Sequence, residues 1–129
     1  MTKYQSTDQQ RASAAWNLVQ SVKGKGETSK SFGMHAKKLP VRILASGLGQ
    51  SIAFLDAKKE ALELVHGINE WIGDRPWANR ATTTTVANAT LMERIIANDH
   101  EFLRMATEET LALLQWIVRF SDAEGLTKG

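Results

Sequence analysis

The chain has 129 residues, of which 43% are hydrophobic and 23% charged, and this balance is typical of one soluble globular domain. It contains no cysteine, which excludes disulfides, thiolate chemistry and cysteine-based zinc sites. The longest aliphatic and aromatic runs, such as Ile52 to Leu55, are far shorter than the stretch of about twenty residues that crosses a bilayer. The first fifteen residues are polar, so we expect a cytoplasmic protein with no membrane segment and a single domain over residues 1–129.

The net charge of +2 hides an asymmetry between the two halves of the chain. Residues 1–59 hold ten basic and three acidic residues (10 − 3 = +7), whereas residues 60–129 hold six and eleven (6 − 11 = −5). The basic excess is concentrated in Lys23, Lys25, Lys30, Lys37, Lys38 and Arg42. Such a cluster favours contact with a phosphate backbone, although two halves that attract each other within one fold would give the same pattern.

The first half of the chain reads as helices separated by glycines. Ser6 with Gln9, or Thr7 with Gln10, predicts a capping box before an apolar stripe over residues 12–22, which the glycines of residues 23–26 end. A short helix follows over residues 28–37, and Pro40 suits the first turn of a new one. The glycines at 47 and 49 either interrupt this helix or allow close approach of another backbone.

The second half continues the helical pattern and shows no alternating strand. An apolar stripe over residues 62–72 stops at residues 73–76, and the threonines at 82–85 begin a helix that carries Met92 and Ile96. Asn98 and Asp99 indicate a break with a cap before a long amphipathic helix over residues 102–120. We therefore predict an all-α fold, a compact bundle of about six helices.

Catalytic and metal-binding patterns are weak in this sequence. Glu63 and His66 have the Glu-x-x-His spacing of carboxylate di-metal bundles, and Glu70 could add a ligand, but the pair occurs only once. No nucleophile elbow and no phosphate-binding glycine loop is present. We expect no enzyme activity, no catalytic residue, no cofactor and no metal.

A helix-turn-helix motif is an alternative for residues 40–58, because two short helical stretches flank Gly47 and Gly49. Gln50 and Ser51 would then contact DNA bases, although the following residues, Ile52 to Leu55, have the composition of a core. The chain would be a stand-alone DNA-binding regulator in this case. Another alternative is a protein–protein adaptor whose lysines are merely solvated.

The four tryptophans divide into two groups. Trp16, Trp71 and Trp116 fall on or beside apolar stripes, which indicates core or subunit-interface positions. Trp77 follows Pro76 in a predicted loop and is expected to lack a packing partner within the monomer. We therefore predict Trp77 as a candidate for a partner interface.

Two long segments carry a family resemblance. Residues 36–55 read AKKLPVRILASGLGQSIAFL and residues 104–123 read RMATEETLALLQWIVRFSDA. Together with the N-terminal helix at 11–22, they resemble the small helical subunit of the Cmr complex, the type III-B CRISPR RNA-guided effector of bacteria and archaea. Ser46 and the single basic residue at Arg119 depart from the family pattern, and residues 73–89 match none of it.

The resemblance implies a non-catalytic role in antiviral defence. Such subunits stack as a minor filament beside the backbone subunits that carry the crRNA, and they flank the duplex of guide and target RNA. The implied partners are the backbone and large subunits, further copies of this chain, and crRNA with target RNA. The six cations at 23, 25, 30, 37, 38 and 42 are the predicted RNA-binding face.

Overall fold

The computed structural model describes residues 5–59, 61–79 and 89–127. The described part contains no strand and consists of one 3₁₀ turn, Pro76–Asn79, and α-helices α1 (Thr7–Val22), α2 (Glu27–Ser46), α3 (Leu48–Lys58), α4 (Leu62–Gly73), α5 (Leu91–Ala97) and α6 (His100–Ala123). The prediction of an all-α bundle of about six helices is confirmed.

The helix starts follow the capping rules read from the sequence. The Ser6 hydroxyl accepts a hydrogen bond from the backbone N–H of Gln9, whose side chain accepts one from Ser6 in return, so the first of the two alternative capping boxes is correct. Asp99 caps α6 by accepting from the backbone N–H of Phe102, as the predicted break requires. These caps fix where α1 and α6 begin.

Two predicted helix boundaries are wrong. A single helix, α2, covers both the predicted short piece and its successor, so Pro40 lies inside a helix instead of at its start. The buried side chains of Leu39 and Ile43 flank the proline, and their packing outweighs its missing N–H. The true break is Gly47, whose φ of 87° lies in the left-handed region that favours glycine.

The start of α5 also differs from the prediction. The helix begins after Thr90, which forms a second capping box with Glu93. The predicted threonine entry at 82–85 falls outside the described residues.

Helix α6 organises the core because it packs along α1 and, less extensively, along α2. Its length of 24 residues lets it contact both ends of the bundle. The buried side chains come from every helix and include Val19, Phe32, Leu39, Ile52, Leu64, Ile68, Leu91, Phe102, Leu114 and Ile117. Burial of apolar surface on this scale is the main force that stabilises such a bundle.

One carboxylate links three helices at the edge of this core. Glu109 on α6 accepts hydrogen bonds from Nε and Nη2 of Arg11 on α1, at 2.6 and 2.9 Å, and from Nε1 of Trp71 on α4, at 2.8 Å. Burial alone would raise the pKa of Glu109, but hydrogen bonds from Arg11 and Trp71 and the nearby charges of Arg11 and Arg75 hold it below its ordinary value. The ion pair therefore stabilises the fold while the carboxyl is ionised.

This lowered pKa predicts a loss of stability in acid. A carboxyl whose pKa is lower in the folded than in the unfolded state stabilises the fold at pH values above its ordinary pKa of 4.5. This contribution disappears as the pH falls through the pKa of the folded state. We expect the urea concentration at the midpoint of unfolding to be lower at pH ~3 than at pH 7. This decrease should be smaller in the Glu109→Gln variant. Equal pH dependence in the two proteins would contradict the assignment.

Residues 124–127 form a short strap across α2. After α6 the chain turns at Gly125, and the N–H of Leu126 donates to the carbonyl of Ser121 at 2.8 Å. The Leu126 side chain is buried, and its backbone passes directly over Gly33. The strap therefore depends on the absence of a side chain at that position of α2.

None of the helices in the described ranges is both long enough and apolar enough to cross a membrane.

Candidate nucleic-acid interface

The six predicted cations do not form one surface. Lys23 caps the end of α1, Lys25 lies in the following turn, and the other four are on α2. All except Arg42, which is half-buried, are exposed. In the structure these cations differ in the groups that their side chains contact.

Lys23 is paired with a carboxylate. Its Nζ lies 3.0 Å from Oε1 of Glu124, which also accepts a hydrogen bond from Gln20 at 2.9 Å. The hydrogen bonds from Gln20 and then Lys23 lower the pKa of Glu124. Because Glu124 already compensates its charge, Lys23 contributes less to an anion-binding surface than the sequence implies.

The exposed face of α2 carries cations and apolar side chains together. Lys30, Lys37 and Lys38 lie on it at helical spacing, and none of the three forms a salt bridge with another described residue. Val41 and Leu44 continue the same face and are 70% and 76% exposed. This face is thus half cationic and half apolar.

Arg42 turns toward α3, where the structure reveals two residues that the charge pattern missed. The Arg42 guanidinium carbon lies 4.0 Å from the ring centroid of Phe54, and Nζ of Lys58 lies 5.1 Å from the same centroid. Cation–π attraction holds both side chains over this half-exposed ring. Phe54 and Lys58 are four residues apart on one helix, so their contact was readable from spacing, whereas their proximity to Arg42 was not.

Together with Lys38, one helical turn before Arg42, these residues define the cationic surface: Lys38, Arg42 and Lys58. No carboxylate within the described ranges pairs with any of the three. Two helices therefore present three positive charges whose natural counter-ions are external anions. A phosphate backbone is a ligand of this kind.

Lys37 lies on the side of this exposed face of α2 that is next to α6. With Pro40 and Leu44 it lines a groove whose opposite wall is α6, including Trp116 and Arg119. The groove contains apolar side chains of both helices and the carboxylate of Asp122. Its mixed lining differs from the uniformly positive cationic surface.

The expectation that Trp77 lacks a packing partner is wrong. Its ring packs edge-on against Phe102, with centroids 5.7 Å apart, and it is half-buried. A role of Trp77 at a partner interface stays a prediction. Trp16 is the more exposed tryptophan, at 45%, although its ring contacts Phe120 in a T-shaped arrangement.

One of the two residues that the helix-turn-helix alternative assigns to base contact is not accessible. Ser51 is buried, and its hydroxyl donates to the carbonyl of Gly47 at 2.8 Å. Ile52 and Leu55 on the same helix are core residues. Helix α3 thus uses for packing the side chains that a recognition helix would present to DNA.

The Glu-x-x-His pair lies on an exposed face of α4. His66 pairs with Glu70, with Nε2 and Oε1 2.6 Å apart, and both side chains are exposed. Within the described ranges, no three His, Asp or Glu side chains are grouped so that they could hold a metal ion.

The chain matches a known protein family. The family model described as CRISPR-associated protein (Cas_Cmr5) matches residues 7–124. The matched range runs from the first residue of α1 to the residue that follows α6, so it includes all six described α-helices and the cationic surface. The resemblance predicted from residues 36–55 and 104–123 is confirmed at this level: the chain belongs to the Cas_Cmr5 family and is a CRISPR-associated subunit of the Cmr type.

Proposed function

We propose that this chain is a non-catalytic structural subunit of a type III-B ribonucleoprotein effector in antiviral defence. It braces the assembly beside the crRNA-bearing backbone subunits and supports the duplex of guide and target RNA. The cationic surface of Lys38, Arg42 and Lys58 contacts the RNA backbone. Family membership supports the assembly, and the observation that carries the RNA contact is the placement of these three cations without carboxylate partners among the described residues.

The proposed contact is electrostatic and independent of base sequence. Lysine and arginine side chains that neutralise phosphates fix position without reading bases, and in RNA-guided effectors the base pairing with the guide supplies specificity. Phe54 adds positional order, because it restrains two flexible cationic side chains before RNA arrives. A surface of this kind suits a subunit that must accept every target sequence.

The test compares two double variants within the assembled effector. In Lys38→Ala/Lys58→Ala, two cations of the cationic surface are removed; in the control, Lys23→Ala/Arg104→Ala, two cations paired with glutamates are removed. Both variants lose the same net charge. The measurement is target RNA retention as a function of salt concentration.

We expect the first variant to bind target RNA about tenfold more weakly at ~0.15 M salt, with a salt dependence lower by about 1.5 in log–log slope. The control should remain within about twofold of the unmodified effector. Equal losses in the two variants, or no loss in either, would contradict the assignment of the cationic surface to RNA. Circular dichroism of each free variant checks that the bundle is intact.

A further inference from the structure

Arg75, just after the end of α4, has a fixed orientation but no carboxylate partner. Its guanidinium carbon lies 3.5 Å from the ring centroid of Trp71, and its Nε donates to the Trp71 carbonyl at 3.0 Å. The side chain is half-buried, and no carboxylate of the described residues forms an ion pair with it. Nη1 and Nη2 of Arg75 have no acceptor among these residues. Both groups can therefore donate to an oxyanion from outside the chain.

The charges around Arg75 compensate its burial only in part. Burial lowers the pKa of Arg75 below its ordinary value, although the nearby charges of Glu109 and Asp74 act to raise it and that of Arg11 lowers it further. Glu109 is already the acceptor for Arg11 and Trp71. An external oxyanion would supply the compensating charge that a half-buried cation requires.

A pocket between α1 and α4 provides the space for such a ligand. It has a volume of about 500 Å³, and its lining includes Trp71 and Arg75 together with Gln10, Ser13 and Asn17 of α1. The three α1 side chains are uncharged and can both donate and accept hydrogen bonds. We call this site the α1–α4 pocket.

The charge balance of the α1–α4 pocket favours a carboxylate over a phosphate. Asp74 also lines the pocket, and Glu109 is close enough to affect the pKa of Arg75. Repulsion by these two carboxylates is weaker for a monoanion than for a dianion. The two oxygens of a carboxylate also match Nη1 and Nη2 of Arg75, which can donate to them in parallel.

The spacing of the amides on α1 favours a protein segment as the source of this carboxylate. Gln10 and Asn17 are two helical turns apart, which is about 10.5 Å along the helix axis, and an extended chain covers about 10 Å in three residues. The Asn17 amide has no partner among the described residues, and that of Gln10 makes one hydrogen bond, to the Gln5 carbonyl at 3.4 Å. Both amides can therefore pair with the backbone of an extended segment.

We propose that the α1–α4 pocket binds an extended acidic segment of another protein. Arg75 binds a glutamate or aspartate side chain of the segment, and Gln10 and Asn17 pair with its backbone. The contact of Arg75 with Trp71 orients the guanidinium before the partner arrives, which lowers the entropic cost of binding. The inference goes beyond the proposed function, because the pocket contains no residue of the cationic surface.

Titration of the full chain with defined probes, followed by NMR of the Arg75 Nε–H and the Trp71 Nε1–H signals, tests the proposal. The probes are a blocked tetrapeptide of three alanines and one glutamate, the same peptide with glutamine instead of glutamate, and acetate. We expect the glutamate peptide to shift both signals saturably and to bind about tenfold more tightly than the glutamine peptide. Acetate should bind about fivefold more weakly than the glutamate peptide, because it lacks the backbone groups.

Two other results of this titration would overturn the proposal. Equal affinity of the glutamate and glutamine peptides, or no saturable shift with either, would show that Arg75 does not bind an acidic side chain. Acetate that binds as tightly as the glutamate peptide would show that the pocket takes a small free carboxylate instead of a protein segment.

Variants of three residues place the binding site. Arg75→Gln should weaken binding of the glutamate peptide about tenfold, as measured from the Trp71 signal. The matched control, Arg104→Gln, removes an arginine that is paired with glutamates on α6 and should stay within about twofold of the unmodified chain. Asn17→Ala replaces an exposed side chain, so folding is retained, and it should weaken both peptides about threefold.

Unchanged affinity in Arg75→Gln, or an equal loss in Arg104→Gln, would overturn the assignment of the α1–α4 pocket. Circular dichroism of each variant checks that the bundle is intact. The titrations contain no RNA, so their failure is distinguishable from failure of the cationic surface to retain target RNA.

Discussion

Replacement of Gly33 by alanine is expected to lower the free energy of unfolding by about 2 kcal/mol, although alanine is the better helix former. A Cβ at this position of α2 would lie 2.5 Å from the carbonyl carbon of Leu126 and 2.8 Å from its Cβ. Backbone cannot yield as a flexible side chain does, so the C-terminal strap must move away. Its movement exposes the Leu126 side chain and breaks the hydrogen bond to Ser121.

Gly49→Ala is the matched control for this prediction. Gly49 also lies in a helix, but the nearest atom to an added Cβ is Cγ2 of Ile95 at 4.0 Å, an ordinary contact. We expect Gly49→Ala to leave the free energy of unfolding unchanged or to raise it by up to ~1 kcal/mol. Urea denaturation of the unmodified protein and the two variants measures these free energies of unfolding. Equal stability of Gly33→Ala and Gly49→Ala would show that the strap does not depend on Gly33.

Removal of the Glu109 carboxylate is expected to cost about 3 kcal/mol of unfolding free energy. The Glu109 side chain is 10% exposed and that of Arg11 is 21% exposed. Glu109→Ala leaves Nε and Nη2 of Arg11 and the Trp71 N–H without their acceptor in a site that water reaches poorly. Nη1 of Arg11 keeps its contact with Asp8 at 3.2 Å. The expected result is a large fall in the thermal midpoint at neutral pH.

Glu108→Ala is the control for Glu109→Ala. The neighbouring carboxylate contacts Arg104 at 2.9 Å on the exposed face of α6, where water solvates both partners. Its loss should change the midpoint little. If both alanine variants unfold at the same temperature, Glu109 does not link the three helices as described.

The helical architecture could be predicted from the sequence because local signals agree with the packing. The start of α1 was predicted to within one residue, by a capping box at Ser6 or Thr7, and Asp99 predicted the start of α6; the apolar periodicity of α6 matches its buried face. The two wrong boundaries around Pro40 arose where packing overrides propensity. A proline is unfavourable inside a helix, but the core contacts of Leu39 and Ile43 hold the helix continuous through it.

The candidate site was predicted only in part. Charge along the chain identified Lys38 and Arg42, but it also included Lys23, which is paired with Glu124 from the far end of the chain. Lys58 and Phe54 were missed because the contact of Phe54 with Arg42 joins two helices, and the relative orientation of helices is not encoded in local spacing. Trp77 was misjudged for the same reason, since its partner Phe102 belongs to another helix.

If this chain works inside an RNA-guided assembly, affinity purification of the chain from its native host should recover the other components of that assembly. RNA and proteins that elute with it would be identified by sequencing and mass spectrometry. We expect crRNAs together with the backbone and large subunits of a Cmr effector. Recovery of the chain alone, or with duplex DNA and no other Cmr subunit, would contradict it.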